Sequence, residues 1–248
     1  MTRAFCVLPI VLVLPMTLTA QALGQRVASL GDGTIRLSFA ARPGVCSTGN
    51  GSISIDRGDD EWEEDCERGL VRVSLRVKDG AVVETNTHLG GRWRNRGEPA
   101  TDLGTLTAAS AAADLLALAE RGPEADEELI QAAALADSVV IWPRLVAIAR
   151  NTKVPMDTRR HAIFWVGQAA EQAATRSLDS IAADDQGDLE IRKQAVFALS
   201  QRPVDESVPM LIHIARSSRY TQVRTSAIFW LGQSEDPRAL ALFEELLR

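Results

Sequence analysis

The sequence predicts a mainly α-helical fold: an α-solenoid of about four helical hairpins, preceded by a small antiparallel β module. Three observations support this prediction. The second half of the sequence is rich in alanine and repeats itself, whereas residues 24–104 alternate between apolar and polar side chains. Apolar residues make up 46% and charged residues 24% of the 248 residues, so the protein is able to bury a core.

The N-terminus has the pattern of an export signal. Arg3 is followed by the apolar run 4–18, and Ala20 and Ala22 supply the small side chains that signal peptidase accepts. A membrane anchor would require a longer apolar run without a cleavage site. The sequence therefore predicts a signal peptide over residues 1–22. The mature protein would lie in the periplasm or outside the cell, with no membrane insertion after cleavage.

Export would place the cysteines in an oxidising compartment. Cys6 would leave with the signal peptide, and Cys46 and Cys66 would remain as an even pair. A disulfide between them would close a loop of about 21 residues and contribute roughly 3 kcal/mol through chain entropy. Because the short C-x-x-C spacing of redox enzymes is absent, we expect a structural disulfide.

Residues 23–104 are expected to form the small β-rich domain that carries this disulfide. Alternation of apolar and polar side chains predicts the strands 34–39, 52–55, 70–77 and 81–85. Asp79 and Gly80 indicate a hairpin turn between the last two strands. Since charged residues occupy one face of the alternation, we expect an antiparallel sheet with one face in water.

A helix from Ala108 to Arg121 is expected next, within a capping or linker segment that covers residues 105–125. It would join the sheet to the repeats and cover the first of them. A polar outer surface on such a terminal element is typical of repeat proteins.

Residues 126–248 are predicted to form the repeats. A segment that contains Arg159 recurs 33 residues later at Arg192 and a further 32 residues later at Arg224. Each unit would form two helices with one apolar face. Because a single unit cannot bury that face, stacking of the units would create a continuous core.

These repeats resemble the HEAT family in its short form, also called PBS-lyase HEAT-like. The resemblance rests on the Val/Ile-Arg-x-x-Ala-x-x-x-Leu-Gly pattern of the first helix in each unit, and on the aliphatic spacing of the second. Asp126 stands where later units have arginine, as expected of a terminal repeat. The protein is also similar to exported bacterial HEAT repeat proteins with an N-terminal module like residues 39–46. The resemblance implies an α-solenoid of HEAT-like hairpins and names no activity.

Most of the repeated residues are expected to be structural. The side chains expected to pack between repeats are Ile163, Phe164, Trp165, Val166 and Trp230. Recurrence of a tryptophan at one repeat position favours packing over a role as a ligand platform. Gly167 and Gly232 would permit a tight turn where the first helices end.

Arg159, Arg192 and Arg224 would form a ladder along the stack. The resemblance implies that they pair with acidic groups between units. The acidic candidates are Asp157, Asp185 and Glu190. A basic stripe that binds anions is the alternative interpretation, and the surrounding acidic residues favour ion pairs.

The concave face of a solenoid, formed by the second helices, usually carries its function. The predicted binding residues on that face are Asp179, Ser180, His213, Glu244 and Glu245. This mixed surface suits a protein partner, and the net charge of −6 argues against a nucleic acid. Arg150 and Arg216, near the ends of second helices, are expected to complement the helix dipoles.

No catalytic constellation is evident. The sequence contains no G-x-S-x-G, G-x-G-x-x-G or Walker motif and no H-E-x-x-H, and its three histidines lie in different segments. It also lacks the His-Glu dipeptides that hold the di-iron centre of deoxyhypusine hydroxylases, which share this repeat type. We therefore expect no enzyme activity, no cofactor and no metal. An accessory enzyme of the phycobilin-lyase type is the alternative that the resemblance leaves open.

Acidic residues crowd into the loop 56–67 around Trp62. Their oxygens could hold calcium, so a calcium-dependent binding module is a further alternative. The spacing does not match an EF-hand, and acidic loops are usually solvated. The basic segment 92–96 is expected to pair with this loop.

Together these features predict an exported protein–protein interaction scaffold that binds a polypeptide through the concave face of its repeats. The excess of arginine over lysine is typical of a GC-rich genome and favours a bacterial envelope protein. An apolar end near Leu246 and Leu247 would favour a homodimer or end-to-end stacking.

Overall fold

The computed structural model describes residues 22–47, 53–55, 67–93, 99–122 and 127–247. The strands are β1 (Gly33–Ala40), β2 (Val45–Ser47), β3 (Ile53–Ile55), β4 (Leu70–Lys78), β5 (Ala81–Leu89) and β6 (Ala100–Thr105). The helices are α1 (Leu23–Leu30), α2 (Ala108–Arg121), α3 (Glu127–Ala134), α4 (Trp142–Arg150), α5 (Met156–Gly167), α6 (Gln172–Ala182), α7 (Leu189–Ser200), α8 (Val204–Ser217), α9 (Thr221–Gly232) and α10 (Pro237–Leu246). The predicted signal peptide, Cys66, most of the acidic loop, Asp126 and most of the basic segment lie outside the described residues.

Four strands form one sheet in the order β5-β4-β1-β6. β1 and β4 are antiparallel, as are β4 and β5, which confirms the predicted strands and the hairpin between them. Asp79 and Gly80 form the turn with φ angles of 51° and 73°. Two successive positive φ values match the twist of antiparallel strands, so the Asp-Gly signal identified this turn correctly.

The sheet is mixed, so the prediction of an antiparallel β module was wrong for its last strand. β6 pairs parallel to β1, at the edge opposite β5. The polypeptide must therefore cross the sheet between β5 and β6. Trp93, after β5, lies over β1 and β4. The Arg36 guanidinium on β1 is 5.1 Å from its ring centroid, and the Arg72 guanidinium on β4 is 5.9 Å from it. β6 had escaped prediction because it alternates poorly.

One face of the sheet is buried and the other is exposed to solvent, as the alternation predicted. In β4, Val71, Val73 and Leu75 are buried, whereas the intervening residues are more exposed. The apolar face packs against α1 and α2, and α1 contributes Leu23 and Val27 to the core. No separate signal in the sequence had indicated α1, a helix of only two turns.

The sheet and the helices share backbone hydrogen bonds. The Arg42 N–H donates to the Leu135 carbonyl at 2.8 Å, and the Asp137 N–H donates to the Ala40 carbonyl at 3.0 Å. Two residues separate β6 from α2, which begins at Ala108 and ends at Arg121 as predicted. The last strand therefore leads directly into the helical part of the protein.

The helices that follow contact one another in two series. The first helices of the predicted repeats, α3, α5, α7 and α9, contact in sequence order, as do the second helices, α4, α6, α8 and α10. Ala162, Ala195 and Ala227 are fully buried in the first series. Small side chains at one repeat position let these helices approach closely.

The structure places one predicted core position, Phe164, at the margin of the core, where it packs while partly exposed. Ile163, Trp165 and Val166 are buried, whereas Phe164 is only partly buried and its counterpart Phe229 is 56% exposed. Adjacent residues on a helix point about 100° apart, so a run of four apolar residues cannot lie entirely on the buried stripe. The phenylalanine position turns toward the outer surface of the first helices.

The two repeat glycines end the first helices as predicted, but without the left-handed conformation that glycine permits there. Gly167 and Gly232 are the last helical residues, and neither has a positive φ. A Cβ atom on Gly167 would lie 3.1 Å from the Cβ of Ala198, whereas at Gly232 the nearest atom is Phe243 Cζ at 4.0 Å. Close packing of α5 on α7 explains the first glycine.

Within the residues described, no helix combines the length and apolarity needed to cross a membrane. Leu246 and Leu247 are exposed at the end of α10. Association of two copies at this end stays a prediction.

Candidate functional site

The second helices carry the five predicted binding residues. Asp179 and Ser180 lie on α6, His213 lies on α8, and Glu244 and Glu245 lie on α10. Asp179 is half-buried and the other four are exposed. Because these helices contact one another in sequence order, the five residues belong to one series of neighbouring helices.

Two arginines connect consecutive second helices. Arg150 Nη2 at the end of α4 donates to Ser180 Oγ at 2.9 Å, and Arg216 near the end of α8 pairs with Glu245. Each arginine thus reaches the next second helix in the series. A charge near a helix C-terminus also complements the helix dipole, as predicted, but these two side chains bridge repeats as well.

Asp179 and His213 interact across α6 and α8. Asp179 Oδ1 is buried and has no hydrogen-bond partner among the described residues. This burial raises the pKa of the Asp179 carboxyl, and the nearby His213 acts in the opposite direction. His213 Nε2 lies 3.4 Å from Ser217 Oγ, whose hydroxyl donates to the His213 carbonyl at 2.8 Å. Glu244 makes no hydrogen bond or ion pair with the described residues.

The arginine ladder departs from the predicted pairing. Arg159 is buried, and its Nε donates to the Ala149 carbonyl at 2.9 Å. Its Nη1 pairs at 2.6 Å with Asp188, the residue that precedes α7 in the next repeat. An inter-repeat ion pair therefore exists, but its acidic partner is not one of those predicted.

The acidic residues predicted as ladder partners have other partners. Asp157 pairs with Arg160 at 3.4 Å, Asp185 pairs with Arg219 at 3.3 Å, and Glu190 pairs with Lys193 at 3.2 Å. The first and third pairs join residues on one turn of the same helix. Spacing of three along a helix brings two side chains together without any help from the neighbouring repeat.

Arg192 has no acidic partner among the described residues. Its side chain is buried, with 4% of the residue exposed, and the guanidinium lies 3.6 Å from the centroid of the Tyr220 ring. Nε is buried without an acceptor within the described part of the protein. Arg224, one repeat later, donates instead to the Ser218 carbonyl at 2.7 Å and to Thr221 Oγ1 at 3.2 Å.

A cavity of about 180 Å³ lies beside Arg192, where α6 and α8 end. Its lining residues are Ala182, Ala183, Asp185, Arg192, His213, Ile214, Ser217, Ser218, Arg219 and Tyr220. His213 is thus the one predicted binding residue that lines it. Tyr220 is held in place by a 3.2 Å hydrogen bond from its hydroxyl to the Asp185 carbonyl.

Sequence reasoning missed Arg202, a buried residue between α7 and α8. Its Nε donates to Thr175 Oγ1 at 2.8 Å, its guanidinium also donates to backbone carbonyls of the α5–α6 loop, and it pairs with Glu206 at 3.1 Å. Arg202 stands where the adjacent repeats carry Ala169 and Ser234, so no recurring residue marked it. The spacing of four between Arg202 and Glu206 was the one available signal.

The outer surface of the first helices was missed as well. Phe164 lines a recess there with His161, and Phe229 lines another further along the series. His161 Nε2 lies 3.3 Å from Glu127; burial lowers the pKa of His161, and the Glu127 charge opposes this effect. Recurrence of phenylalanine at one repeat position was the available signal, and it had been assigned to the core.

The predicted disulfide is only half described. Cys46 is buried in β2, and Cys66 lies outside the described residues. The neighbouring residues Ser47 and Glu67 form an antiparallel backbone pair, with both N–H···O distances at 2.9 Å. The end of β2 and Glu67 are therefore adjacent.

The comparison with protein families identifies the repeat. A family model described as PBS lyase HEAT-like repeat matches residues 223–248, which include α10 and most of α9. The protein therefore contains a HEAT-like repeat, as the resemblance implied. The comparison with curated proteins finds no match.

Proposed function

We propose that this protein is an exported interaction scaffold that binds a polypeptide through its second helices, α4, α6, α8 and α10. The observation that carries the proposal is the contact of these helices in sequence order, in a protein whose last repeat matches the HEAT-like model. HEAT-like repeats commonly mediate protein interactions, and a row of neighbouring helices offers an extended surface.

The solenoid arrangement is part of this proposal. Repeats of 33 and 32 residues recur along the sequence, and the helices of each series contact their neighbours in order. Leu145, Leu178 and Leu211 are buried at equivalent positions of three second helices. A constant rotation between such units would curve the stack, and we assign the concave side to the second helices.

The chemistry of the second helices favours a polypeptide partner. The half-buried Asp179 carboxyl has no hydrogen-bond donor among the described residues, so its exposed part can accept from a partner N–H. Exposed His213, Glu244 and Glu245 supply further polar contacts. The acidic end would repel a phosphate-rich partner, whereas peptide groups and basic side chains would be attracted.

Cross-linking followed by co-purification tests this function. A tagged protein from its native envelope is expected to retain a polypeptide that is lost when Asp179, His213 and Glu244 are all changed to alanine. A matched control changes three exposed residues of the first helices, Arg160, Gln222 and Thr225, to alanine. Equal recovery from all three proteins, or no polypeptide at all, would reject the proposed binding surface.

Export is proposed from the signal pattern, and the start of α1 supports the cleavage position. α1 begins at Leu23, which is buried, so cleavage after Ala22 would leave the helix complete. The Leu23 N–H lies 3.4 Å from Asp114 Oδ2 on α2. After cleavage this nitrogen would be a charged amine facing a carboxylate, an arrangement that stabilises the new N-terminus.

A single mass measurement of the exported protein tests both the cleavage and the disulfide. We expect a polypeptide that starts at Leu23 and is lighter by two hydrogens than its reduced form. Alkylation without reduction should leave Cys46 and Cys66 unmodified. A retained N-terminus would contradict export with cleavage, and alkylated cysteines would contradict the disulfide.

A further inference from the structure

The surroundings of the Arg192 guanidinium differ from those of Arg159 in one residue of the following repeat. In each case the residue four positions before the next repeat's arginine faces the guanidinium. For Arg159 this residue is Asp188, and for Arg192 it is Tyr220. The carboxylate that completes the first site is therefore replaced by an aromatic ring in the second.

The tyrosine ring cannot replace the carboxylate as an acceptor. Arg192 Cζ lies over the ring, 3.6 Å from its centroid, and the ring face offers no lone pair to the guanidinium N–H groups. No hydrogen bond from the Arg192 side chain to a described residue is present, and Nε is buried. A buried donor without an acceptor is costly, and a charged one more so.

A second substitution, in the repeat before that of Arg192, opens space beside this guanidinium. The arginines that bridge the second helices, Arg150 and Arg216, have Ala183 as their equivalent at the end of α6. Ala183 lines the cavity of about 180 Å³ together with Arg192. The end of α6 therefore lacks the long arginine side chain that the neighbouring repeats carry at this position, and the cavity lies there.

The groups around the cavity favour a single negative charge. Arg192 and Arg219 contribute positive charge, and Asp185 offsets that of Arg219 through their 3.3 Å ion pair. His213 and Ser217 add polar atoms at the rim. The site therefore resembles the Arg159 site with the Tyr220 ring in place of the carboxylate and a cavity beside the guanidinium.

We propose that the cavity at Arg192 binds a carboxylate supplied by the polypeptide partner, either from an acidic side group or from the partner's C-terminus. The inference rests on the proposed function for the identity of the partner, but the carboxylate site itself stands on the Arg192 geometry. A carboxylate bound to Nε and one Nη would make the bidentate contact that guanidinium groups favour. It would also place an acidic group of the partner next to His213, at the centre of the predicted surface.

Titration with sodium acetate, followed by ¹H–¹⁵N NMR of the arginine Nε–H groups, tests the site. We expect the Arg192 signal to move and saturate in the millimolar range, while the Arg159 signal stays in place because Asp188 already fills its site. Sodium chloride at matched ionic strength should leave both signals unchanged. An Arg192 signal that ignores acetate, or follows chloride equally, would overturn the proposal.

Two variants introduce the residues that neighbouring repeats carry at the equivalent positions. Tyr220→Asp supplies the missing carboxylate, and Ala183→Arg fills the space, so each should abolish the acetate response while the helical circular dichroism is retained. Because each introduces a residue that another repeat already carries at that position, both are expected to fold. An undiminished acetate response in a folded Tyr220→Asp protein would contradict the assigned geometry.

Further probes distinguish the chemistry and the source of the carboxylate. A larger response to phosphate than to acetate would reject the carboxylate assignment. N-acetyl-aspartate α-amide has its only carboxylate on the side group and N-acetyl-alanine has its only carboxylate at the C-terminus, so the tighter ligand identifies the source. If neither binds, the inference fails. Co-purification of the partner is a separate measurement, so loss of the partner with acetate binding intact would reject only the proposed function.

Discussion

Arg159 and Arg192 occupy the same position in consecutive repeats, yet their guanidinium groups have different surroundings. Arg159 bonds to the Ala149 carbonyl and to Asp188, whereas Arg192 stacks on Tyr220 and leaves Nε without an acceptor in the described part of the protein. One residue of the following repeat accounts for the lost ion pair, and Nε of Arg192 also lacks the carbonyl acceptor that Nε of Arg159 has. In a stack of similar units, a recurring residue therefore has a role that depends on its neighbour in the adjacent unit.

Substitution of a third buried arginine, Arg202, should cause the largest loss of stability and extends the comparison of buried arginines. Arg202 has acceptors in Thr175, Glu206 and backbone carbonyls of the α5–α6 loop. Arg202→Met leaves these acceptors without their donor, so we expect the free energy of unfolding to fall by about 3–4 kcal/mol. Urea denaturation followed by circular dichroism measures this. A loss of less than about 1 kcal/mol would show that water replaces the guanidinium.

The direct comparison should give a smaller difference. Arg159→Met removes an ion pair whose acid is partly exposed, together with the donor to a backbone carbonyl, and should cost about 2 kcal/mol. Arg192→Met removes a buried charge without an acceptor and keeps much of its aliphatic packing. We expect a change within about 0.5 kcal/mol in carboxylate-free buffer. Equal losses in urea denaturation would remove the distinction between the two sites.

The two repeat glycines provide a similar comparison for packing. Gly167→Ala would press a methyl group against Ala198 of α7 and should destabilise the protein by about 1 kcal/mol. In Gly232→Ala the new methyl group would contact only Phe243, at van der Waals distance. This substitution should stabilise the protein by about 0.5–1 kcal/mol through helix propensity. Thermal unfolding shows whether each substitution lowers or raises the melting temperature. In an Ala198→Gly background the cost of Gly167→Ala should be smaller, and an unchanged cost would place the strain elsewhere.

The smallest effect is expected at Asp179, and it depends on pH. Burial raises the pKa of this carboxyl in the folded protein, so its stabilising effect is complete below the unfolded pKa and is lost as pH rises through the folded pKa. Asp179→Asn should therefore be more stable than the parent at neutral pH, by less than about 1 kcal/mol because the side chain is half exposed. The difference should vanish near pH 3. A gain that does not change with pH would point to packing and not to ionisation.

The fold was predictable from the sequence where a local pattern repeats. The strands β1, β4 and β5 alternate, and α5, α7 and α9 share a motif, so each was found from its own residues. β6 was missed because its alternation is weak and its pairing with β1 depends on a crossing that involves distant residues. Local pattern determines which segments are helices or strands, whereas parallel pairing depends on the whole protein.

The candidate site was predicted less completely. His213 was identified from its position on a second helix, and the structure places it at the cavity. The cavity itself depends on Ala183 and Tyr220, which are unremarkable when read alone. Their meaning appears only when each is compared with the equivalent residue of the adjacent repeat and with the arginine it would contact. Arg202 stands where the adjacent repeats carry Ala169 and Ser234, so it too becomes noticeable only in such a comparison.

The backbone bonds between the end of β1 and the loop after α3 also affect the order in which the protein can fold. During synthesis, Ala40 and Arg42 leave the ribosome long before Leu135 and Asp137, so their backbone groups must bond to water until that loop arrives. The N-terminal sheet therefore cannot complete its hydrogen bonding by itself. Pulse-labelling of stalled nascent polypeptides should show the end of β1 becoming protected only after the loop following α3 has emerged.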